Sequence, residues 1–338
     1  MQRADNMKLV LNTRDDRPKW AMPETVPDAI ARALGPGWSI ENVKAPVSSR
    51  GDGGSVSAQA IEAIRGAEIY IGAGVPRELL LAALEPPARL RWAHSTTAGI
   101  SSFLYPEMLQ SQVVLTNSAG VHAAPMAETA LAMMLHFARG LDFAIEAQTR
   151  GNWDDERFTG AGSPVREIAG ARLGIVGLGG IGRELAWRAE ALGMQITATR
   201  RSSSRADLEL LLRESDYIAV CAPDTPETRG LIGAREIALL KADAVLLSLS
   251  RGSLIDEPAL ISALQERRIR GAGLDVFAHE PLAPESPLWR LPNVVITPHV
   301  SAVTDRYWER QLALILDNIE RYKTGRELRN VVDKTKGY

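Results

Sequence analysis

Short apolar runs alternate with helical stretches along most of the chain. The first series of runs has the length and content of buried strands, at Met7–Leu11, Ser39–Val43, Ala67–Ile71 and Leu90–His94. The segments between these runs place their apolar residues at helical spacing. Strands that alternate with helices are typical of a parallel sheet covered by helices on both faces, so the pattern predicts an α/β fold.

A second series of the same kind begins at Arg172 and continues to Pro298. Its strands are predicted at Arg172–Val176, Gln195–Thr199, Tyr217–Cys221, Val245–Leu249, Gly271–Asp275 and Val294–Thr297. Two such series predict two doubly wound parallel sheets of the Rossmann type. Between them, Ala124–Thr149 keeps helical spacing throughout, which predicts one unusually long helix. Its apolar positions cover more than a narrow stripe, so it is interpreted either as a core helix or as part of a dimer interface.

Composition narrows the class of protein. A chain of 338 residues with 45% hydrophobic and 24% charged residues has room for two globular domains. The formal net charge of -2 offers no basic face for phosphates, so a nucleic-acid partner is not expected. Cys221 is the single cysteine, which excludes an intramolecular disulfide and favours a reducing compartment. No apolar run reaches the length that spans a membrane and no signal peptide is apparent, so the expected location is the cytoplasm.

The strongest chemical motif is the glycine loop Gly177-Leu178-Gly179-Gly180-Ile181-Gly182. It lies between a predicted strand and the predicted helix Arg183–Leu192, which is the order that a dinucleotide-binding site requires. In such a loop the first glycine permits a tight turn, the second lets the backbone approach a pyrophosphate, and the third lets helix and strand pack closely. The free N–H groups of the helix then face the anion. Apart from Leu178, the loop residues are predicted to bind a dinucleotide; the alternative is a structural turn.

The next predicted strand is followed by Arg200, Arg201 and Ser202. This position meets the adenine ribose in dinucleotide folds, where an NAD site places Asp or Glu to accept from the 2′-OH. Two cations and a hydroxyl suit a 2′-phosphate instead. The three residues therefore favour NADP, with NAD as the alternative cofactor and a solvated basic turn as the structural interpretation.

Arg251, Glu280 and His299 each come after a predicted strand of the second series. Ligands of open α/β sheets bind outside the carboxyl ends of the strands, so these side chains are expected to meet in one cleft. Reduction of a 2-keto acid needs a cation for the carboxylate, a proton donor for the carbonyl oxygen and an anion that favours the charged donor. Arg supplies a planar fork for a carboxylate, His donates a proton near neutral pH, and Glu stabilises the imidazolium.

Each of these residues also has a structural interpretation, as a surface arginine, a helix-capping carboxylate or a hinge histidine. Their joint position behind a dinucleotide fold favours catalysis. His279 competes with His299 as the proton donor, but neighbouring side chains of an extended chain point apart, so His299 is preferred as the partner of Glu280. The other histidines are interpreted as structural: His94, His122 and His136. Their scattered positions offer no metal-ligand spacing, so no metal is expected.

Together these motifs resemble the D-isomer-specific 2-hydroxyacid dehydrogenase family, which includes glyoxylate and hydroxypyruvate reductases, D-lactate dehydrogenases and phosphoglycerate dehydrogenases. The resemblance extends from Leu90 to Tyr322 and is weak before that. The segments that carry it are Ala98-Gly99-Ile100, Thr116-Asn117-Ser118-Ala119-Gly120 with Met126-Ala127-Glu128, Gly177–Gly182, Pro223 with Thr225-Pro226-Glu227-Thr228, and the strand ends at Arg251, Glu280 and His299.

The resemblance implies a role for each of these segments. It assigns catalysis to Arg251, Glu280 and His299. It assigns the substrate to Arg251, His299 and the segment Ala98, Gly99 and Ile100, whose backbone N–H groups would hold the substrate carboxylate. It adds to the cofactor site Cys221, Ala222, Pro223, Thr228 and Asp275, with Asp275 by the nicotinamide carboxamide.

The resemblance also implies a domain organisation. Residues 1–115 and 300–338 would form a discontinuous, flavodoxin-like substrate domain, and residues 116–299 a cofactor domain, with hinges near Thr116 and Pro298. Family members are commonly homodimers joined through the helix that corresponds to Ala124–Thr149. The interface interpretation of this helix is therefore favoured, and a homodimer is expected.

Departures from the family pattern bear on the function. Arg200 stands where NAD-dependent members carry Asp, which again favours NADP, and Ser248 stands where many members have Asn. The predicted reaction is reduction of a small 2-keto acid, with glyoxylate or hydroxypyruvate as the leading substrates. The alternatives are a nucleotide-sensing, corepressor-like scaffold of the same fold and oxidation of phosphite or formate. Trp92 and the loop Val47–Ser55 are candidates for the substrate pocket, with a core tryptophan and a disordered loop as the alternative.

Overall fold

The chain forms two compact units in the computed structural model, which describes residues 7–47 and 56–337. Unit 1 consists of Met1–His122 with Val303–Tyr338, and unit 2 consists of Ala123–Ala302. The chain therefore crosses between the units after His122 and after Ala302, a few residues beyond the predicted hinges. Assignment of the units to substrate and cofactor stays a prediction at this stage.

Unit 1 is built on one parallel sheet. In its described residues the strands are β1 (Met7–Asn12), β2 (Trp38–Asn42), β3 (Ile69–Gly72), β4 (Trp92–Ser95) and β5 (Val114–Thr116). The helices are α1 (Thr25–Leu34), α2 (Ala58–Ile64), α3 (Arg77–Leu84), α4 (Pro106–Gln110) and, from the end of the chain, α12 (Tyr307–Lys323). The strand order β2-β1-β3-β4-β5 is the flavodoxin-like order and confirms the predicted class of sheet.

Alternation along the strands of unit 1 buries both faces of the sheet. On β1, Leu9 and Leu11 pack with Ile30 of α1 and Ile315 of α12. Val10, between them, faces the opposite layer, which contains α2 and α3. Because parallel strands of this kind are covered on both faces, they appear in the sequence as continuous apolar runs.

Unit 2 contains a second parallel sheet. Its strands are β6 (Arg172–Val176), β7 (Gln195–Thr199), β8 (Tyr217–Val220), β9 (Val245–Ser248), β10 (Gly271–Leu274) and β11 (Val294–Ile296). Its helices are α5 (Ala123–Ala138), α6 (Leu141–Thr149), α7 (Glu156–Thr159), α8 (Gly180–Ala191), α9 (Arg205–Glu214), α10 (Ala234–Ile237) and α11 (Glu257–Gln265). The order β11-β10-β9-β8-β6-β7 reverses between β6 and β8. Ligands of doubly wound sheets bind at such a reversal, beyond the carboxyl ends of the strands.

The prediction of a single long helix over Ala124–Thr149 is wrong. The structure divides this segment into α5 and α6, and the chain turns at Gly140, which has a φ of 68°. A side chain at this position would also collide with the ring of Phe143, which packs against the glycine. Glycine adopts this left-handed conformation at little cost, and it ends helices for that reason.

The two candidates for the substrate pocket have different outcomes. Trp92 is fully buried, and its indole N–H donates to Thr116 Oγ1 over 2.8 Å, so it is a core residue. Most of the loop Val47–Ser55 lies outside the described residues, from position 48 to position 55. Among the helices that the structure describes, none is long and apolar enough to cross a membrane.

Candidate active site

The glycine loop after β6 forms a cradle that fits a dinucleotide. Gly177 has a φ of 99°, and a Cβ atom there would lie 2.6 Å from the Cα of Ala222 on the neighbouring strand end. A Cβ on Gly182 would lie 2.5 Å from the carbonyl oxygen of Gly177. A Cβ on Gly179, in contrast, would meet nothing within 4 Å, so this side of the loop is open. Closed packing at the outer glycines and open space at the middle one suit the approach of a pyrophosphate.

Helix α8 begins earlier than predicted and brings its first N–H groups into this cradle. It starts at Gly180 rather than Arg183, with Gly179 as the N-cap residue. Within the described part of the chain, the N–H groups of Gly180, Ile181 and Gly182 have no hydrogen-bond acceptor. Unpaired N–H groups and the helix dipole together form a favourable environment for an anion.

The end of β7 presents cations beside this cradle. Arg200, Arg201 and Ser202 are exposed in the turn after the strand. Asp207, the first carboxylate after them in the sequence, is occupied as the partner of Ser204 in the capping box of α9. No carboxylate of this turn is therefore available for a ribose 2′-OH.

The charge of Arg201 also reaches the loop after β8. Hydrogen bonds from Thr225 and from its own backbone N–H, together with this positive charge, hold the pKa of Glu227 below its ordinary range. In the same loop, the Thr228 hydroxyl donates to the Pro223 carbonyl oxygen over 2.6 Å and accepts from the Thr225 N–H over 2.8 Å. Thr228 therefore fixes the shape of the loop that faces the glycine cradle across the reversal of strand order.

Cys221 is a structural thiol at this strand end. It is buried, and burial raises the pKa of its thiol to about 12, so the sulfur stays protonated. Its N–H donates to the Val176 carbonyl oxygen over 2.8 Å. Only the backbone of Cys221 and Ala222 borders the glycine cradle through Gly177, so their cofactor-binding role stays a prediction.

Arg251 follows the end of β9, and the next position, Gly252, has no space for a side chain. Its side chain is exposed, and Nη1 donates to the Ser250 carbonyl oxygen over 2.7 Å. A Cβ on Gly252 would collide with the Phe277 backbone in the segment after β10. Phe277 N–H in turn donates to Glu280 Oε1 over 3.0 Å. Gly252 thus allows the segments that carry Arg251 and Glu280 to pack against each other.

The side chains of His299 and Glu280 are in hydrogen-bond contact at the carboxyl edge of the sheet. His299 Nδ1 lies 2.6 Å from Glu280 Oε2, and the two side chains are 45% and 34% exposed. Partial burial raises the pKa of Glu280, but the hydrogen bonds from His299 and Phe277 and the charges of His299 and Arg251 prevail and hold it below its ordinary value. With Nδ1 on the carboxylate, Nε2 of His299 is the ring nitrogen left to donate a proton to a bound molecule.

His279 does not take part in this pair. Its side chain is exposed, and it has no hydrogen-bond partner among the residues that the structure describes. Residues 278–280 form a bend rather than an extended strand, so the contact of Glu280 with His299, and not strand alternation, separates the two histidines.

Asp275 holds the backbone around His299. It is fully buried, and its carboxylate accepts from the Thr297 hydroxyl over 2.6 Å, from the Val300 N–H over 2.8 Å and from both N–H and hydroxyl of Ser301. His299 itself has a φ of 53°, and its N–H donates to the Asp275 carbonyl oxygen over 2.9 Å. Residues other than glycine adopt this left-handed conformation uncommonly, and the bonds to Asp275 hold His299 in it. The placement of Asp275 by a nicotinamide stays a prediction.

In unit 1, the segment Ala98-Gly99-Ile100 follows β4 and is fixed through its carbonyl groups. Asn117 Nδ2 donates to the Ala98 carbonyl oxygen over 2.9 Å, and the Thr97 hydroxyl donates to that of Gly99 over 2.9 Å. Phe103 N–H donates to the Ile100 carbonyl oxygen over 2.9 Å. The N–H groups of these three residues have no acceptor in the described chain, so they can bind an anion.

The residues that fix these segments were not identified from the sequence. Gly252 leaves room for the Phe277 backbone, the Phe277 N–H donates to the Glu280 carboxylate, and Ser301 donates to the Asp275 carboxylate; the sequence assigns none of these contacts. Asn117 belongs to a segment that carries the family resemblance, but the sequence assigns it no contact. Its neighbour Ala98 is 19 positions away, beyond the range of a local pattern.

The fold and these strand ends define an NAD(P)-dependent oxidoreductase with two parallel α/β units. Residues 131–301 match the NAD-binding domain of the D-isomer specific 2-hydroxyacid dehydrogenases. The chain is 33% identical over 328 residues to glyoxylate/hydroxypyruvate reductase B of Klebsiella pneumoniae subsp. pneumoniae, which covers 94% of this chain and 98% of that relative. The chain belongs to the D-isomer specific 2-hydroxyacid dehydrogenase family, as its motifs predict.

Two further matches describe the breadth of this similarity. The chain is 31% identical over 294 residues to D-3-phosphoglycerate dehydrogenase of Methanocaldococcus jannaschii, covering 83% of this chain but only 54% of that longer relative. Its structure is similar to that of a D-isomer specific 2-hydroxyacid dehydrogenase from Xanthobacter autotrophicus Py2, crystallised with NADPH and MES. That match has a TM-score of 0.78 and 27% identity and covers 98% of this chain and 100% of the other.

Proposed function

We propose that the chain reduces small 2-keto acids to 2-hydroxy acids with NADPH, with glyoxylate and hydroxypyruvate as the leading substrates. The observation that carries the proposal is the pair of His299 and Glu280, which presents one ring nitrogen of an oriented imidazole at the carboxyl edge of a dinucleotide-binding sheet. The Klebsiella relative is a glyoxylate/hydroxypyruvate reductase by name, and the Xanthobacter structure contains NADPH.

Proton transfer is assigned to His299. When bound, a reduced nicotinamide would supply the hydride for the second carbon of the keto acid. The protonated imidazole gives the Nε2 proton to the carbonyl oxygen, which becomes the hydroxyl group, and the neutral ring then regains a proton from solvent. Glu280 accepts from Nδ1 throughout, which fixes the ring orientation and stabilises the charged form.

The substrate carboxylate is assigned to Arg251 and, as the family resemblance implies, to the N–H groups of Ala98, Gly99 and Ile100. Arg251 presents an exposed planar guanidinium, which matches a carboxylate with two parallel hydrogen bonds. The three N–H groups offer fixed backbone donors, because the loop carbonyls are held within unit 1.

NADP binding is assigned to the glycine cradle and to Arg200, Arg201 and Ser202. The cradle and the first turn of α8 would hold the pyrophosphate, since they combine an open glycine with unpaired N–H groups. The exposed cations after β7 would hold a 2′-phosphate, because Asp207 is occupied in its helix cap. Cys221, Ala222, Pro223, Thr228 and Asp275 complete this proposed site.

The test is a steady-state panel of substrates and cofactors. Glyoxylate, hydroxypyruvate and pyruvate are assayed for reduction with NADPH and with NADH, and phosphite and formate are assayed for oxidation with both oxidised cofactors. We expect the highest kcat/KM for glyoxylate or hydroxypyruvate with NADPH. Turnover of phosphite or formate at rates above those of the keto acids, or no turnover at all, would contradict the proposal.

We also propose that the chain forms a homodimer through α6 and the loop after it. In this part of unit 2, Leu141 is 46% exposed, Ile145 is 54% exposed and Trp153 is 92% exposed. Leu141 and Ile145 lie one helical turn apart on α6, and Trp153 follows in the loop; a group of exposed apolar side chains is typical of a protein interface. The test is the mass in solution of an Ile145→Glu variant by light scattering, with Leu210→Glu on α9, equally exposed at 55%, as the matched control. A monomeric wild type, or dissociation in both variants alike, would contradict this interface.

A further inference from the structure

The loop that follows β4 has a complete set of anchors inside unit 1. Beyond the bonds already described, Ser118 N–H donates to the Thr97 carbonyl oxygen over 3.1 Å, and the hydroxyl of Tyr307 donates to the Thr96 carbonyl oxygen over 3.1 Å. Every carbonyl group from Thr96 to Ile100 therefore has a donor. These bonds fix the orientation of each peptide group in the loop and leave the N–H groups of Ala98, Gly99 and Ile100 available for an anion.

Tyr307 is the anchor that comes from farthest along the chain. It is the first residue of α12 and lies 211 positions after the carbonyl that it binds. The other anchors of the loop come from nearby segments, at most about twenty positions away. Tyr307 therefore ties the C-terminal helix to the entrance of the substrate loop, whereas the others shape the loop locally.

The ring of Tyr307 is fixed by aromatic neighbours. It stacks on His122 with a centroid distance of 5.4 Å and an interplanar angle of 8°. Trp20 and Trp308 meet it edge-on at 4.9 Å and 5.3 Å. Because these rings hold it on several sides, the Tyr307 ring keeps its hydroxyl at one position. The hydrogen bond to the Thr96 carbonyl oxygen therefore costs little additional side-chain entropy.

The hydroxyl of Tyr307 also keeps its proton under all ordinary conditions. Burial raises its pKa to about 12, and the hydrogen bond to Thr96 lowers it less strongly. A protonated phenol can donate to a carbonyl oxygen, whereas a phenolate cannot. The anchor is therefore permanent over the pH range in which the enzyme would work.

We propose that Tyr307 is a positioning residue for the substrate carboxylate: its hydroxyl fixes the Thr96 carbonyl, and the N–H groups of Ala98, Gly99 and Ile100 are thereby held ready for the anion. This inference rests on the proposed function and adds to it a residue that touches neither substrate nor cofactor. Tyr307 acts through the backbone of the loop, so its loss weakens binding of the keto acid more than it slows turnover.

The test compares Tyr307→Phe with Tyr322→Phe. Both variants remove one hydroxyl from the same helix, α12. The hydroxyl of Tyr322 donates to Glu68 Oε1 over 2.7 Å. Glu68 lies just before β3 begins, at the end of the sheet opposite to the substrate loop. For Tyr307→Phe we expect the KM of glyoxylate to rise about three- to tenfold, the size of one lost neutral hydrogen bond, with kcat changed less than twofold. For Tyr322→Phe we expect no change in either constant. The KM of NADPH should stay at the wild-type value in both.

A second variant acts on another anchor of the same loop. Asn117→Ala removes the donor to the Ala98 carbonyl oxygen, and we expect a rise in the KM of glyoxylate of at least the same size. Equal KM values for wild type and Tyr307→Phe, with Asn117→Ala impaired, would overturn the role of Tyr307 and leave the proposed function in place. A parallel rise in both tyrosine variants, or in the KM of NADPH, would show a general structural effect and also overturn it. A wild type without keto-acid turnover would overturn both proposals.

Discussion

His94 and His299 lie near the carboxyl ends of parallel sheets in the two units, and their surroundings give them opposite properties. His94, on β4, is fully buried; Nδ1 lies 2.8 Å from Thr116 Oγ1 and Nε2 lies 2.8 Å from Gln311 Nε2. Burial lowers the pKa of His94 to about 3, so its ring stays neutral. His94 therefore serves to join β4, β5 and α12 in the core of unit 1.

His299 has the contrary environment. It is 45% exposed, it adopts a left-handed backbone conformation, and its ring partner is a carboxylate rather than a neutral group. The carboxylate partner orients the ring through Nδ1, and exposure leaves Nε2 accessible to a bound molecule or to solvent. Burial and the nature of the ring partner, more than position in the fold, distinguish the two histidines, and they favour His299 as the proposed acid.

The largest expected effect separates His299 from the other exposed histidine. His299→Ala should lower kcat for glyoxylate reduction by about 10²–10⁴-fold, which is the usual contribution of a positioned general acid. The control is His279→Ala, one residue from Glu280 but without a ring partner in the described structure, and it should keep wild-type kcat. If His279→Ala loses the activity and His299→Ala keeps it, the assignment of the acid is wrong.

The second prediction concerns the cofactor, whose binding is proposed for unit 2. Arg200→Asp removes a cation from the proposed 2′-phosphate site and adds a carboxylate that can accept from a 2′-OH. Each charge-assisted contact is worth roughly 1.5–3 kcal/mol, so the ratio of kcat/KM for NADPH over NADH should fall about ten- to several hundred-fold. The control is Arg205→Asp, at the start of α9. An unaltered protein that uses both cofactors equally well would already contradict the prediction.

The third prediction concerns Arg251, the residue proposed to bind the substrate carboxylate. Arg251→Lys keeps the positive charge but loses the planar fork, so the KM of the keto acid should rise about tenfold or more, the size of one lost charge-assisted bond, while the KM of NADPH changes little. Steady-state kinetics with each substrate varied in turn give both constants. If NADPH binding weakens instead, Arg251 belongs to the cofactor site.

A fourth prediction concerns His94, whose expected effect is on stability alone. In the unfolded chain a histidine binds a proton near its ordinary pKa of 6.5, whereas folded His94 stays neutral down to about pH 3. Below pH 6 the unfolded state therefore binds more protons than the folded state. As the pH is lowered, the free energy of unfolding should decrease by up to about 1.4 kcal/mol per pH unit because of this residue. The free energy of unfolding is measured in urea at pH 7 and pH 4.5 for wild type and His94→Gln. The difference between the two proteins should be smaller at pH 4.5, because only wild type loses the contribution of a neutral His94. A difference independent of pH would mean that His94 is not neutral in the fold.

Regular periodicity made most of the fold predictable. The bounds of β6 and β7 agree with the prediction, because buried parallel strands are continuous apolar runs between polar or glycine-rich turns. The break at Gly140 was missed because apolar spacing continues across it, although the glycine itself was the signal. The start of α8 was placed late because glycines at 180 and 182 lower helix propensity, and contact with β6 overrides that propensity.

The candidate site was predictable only as far as residue type and strand ends reach. His299 and Glu280 were expected to pair because both follow neighbouring strands, and the structure places them in contact. The left-handed backbone of His299 and its support by Asp275 depend on contacts among Thr297, Val300 and Ser301 that no local pattern encodes. The anchor from Tyr307 to Thr96 is invisible to any pattern, since it joins positions far apart in the sequence.

The central claim is that one proton passes through the pair of His299 and Glu280, and the pH dependence of wild type and Glu280→Gln tests it most directly. Although burial raises the pKa of Glu280, its hydrogen bonds hold it below the ordinary value, so the carboxylate stays charged while an imidazole titrates. Reduction of glyoxylate should therefore be fast at low pH and fall as pH rises and the imidazole loses its proton, while oxidation of glycolate should show the reverse. In Glu280→Gln the fall in reduction should move to lower pH, because the charged ring has lost its anionic partner. A fall at the same pH in both proteins would contradict the account.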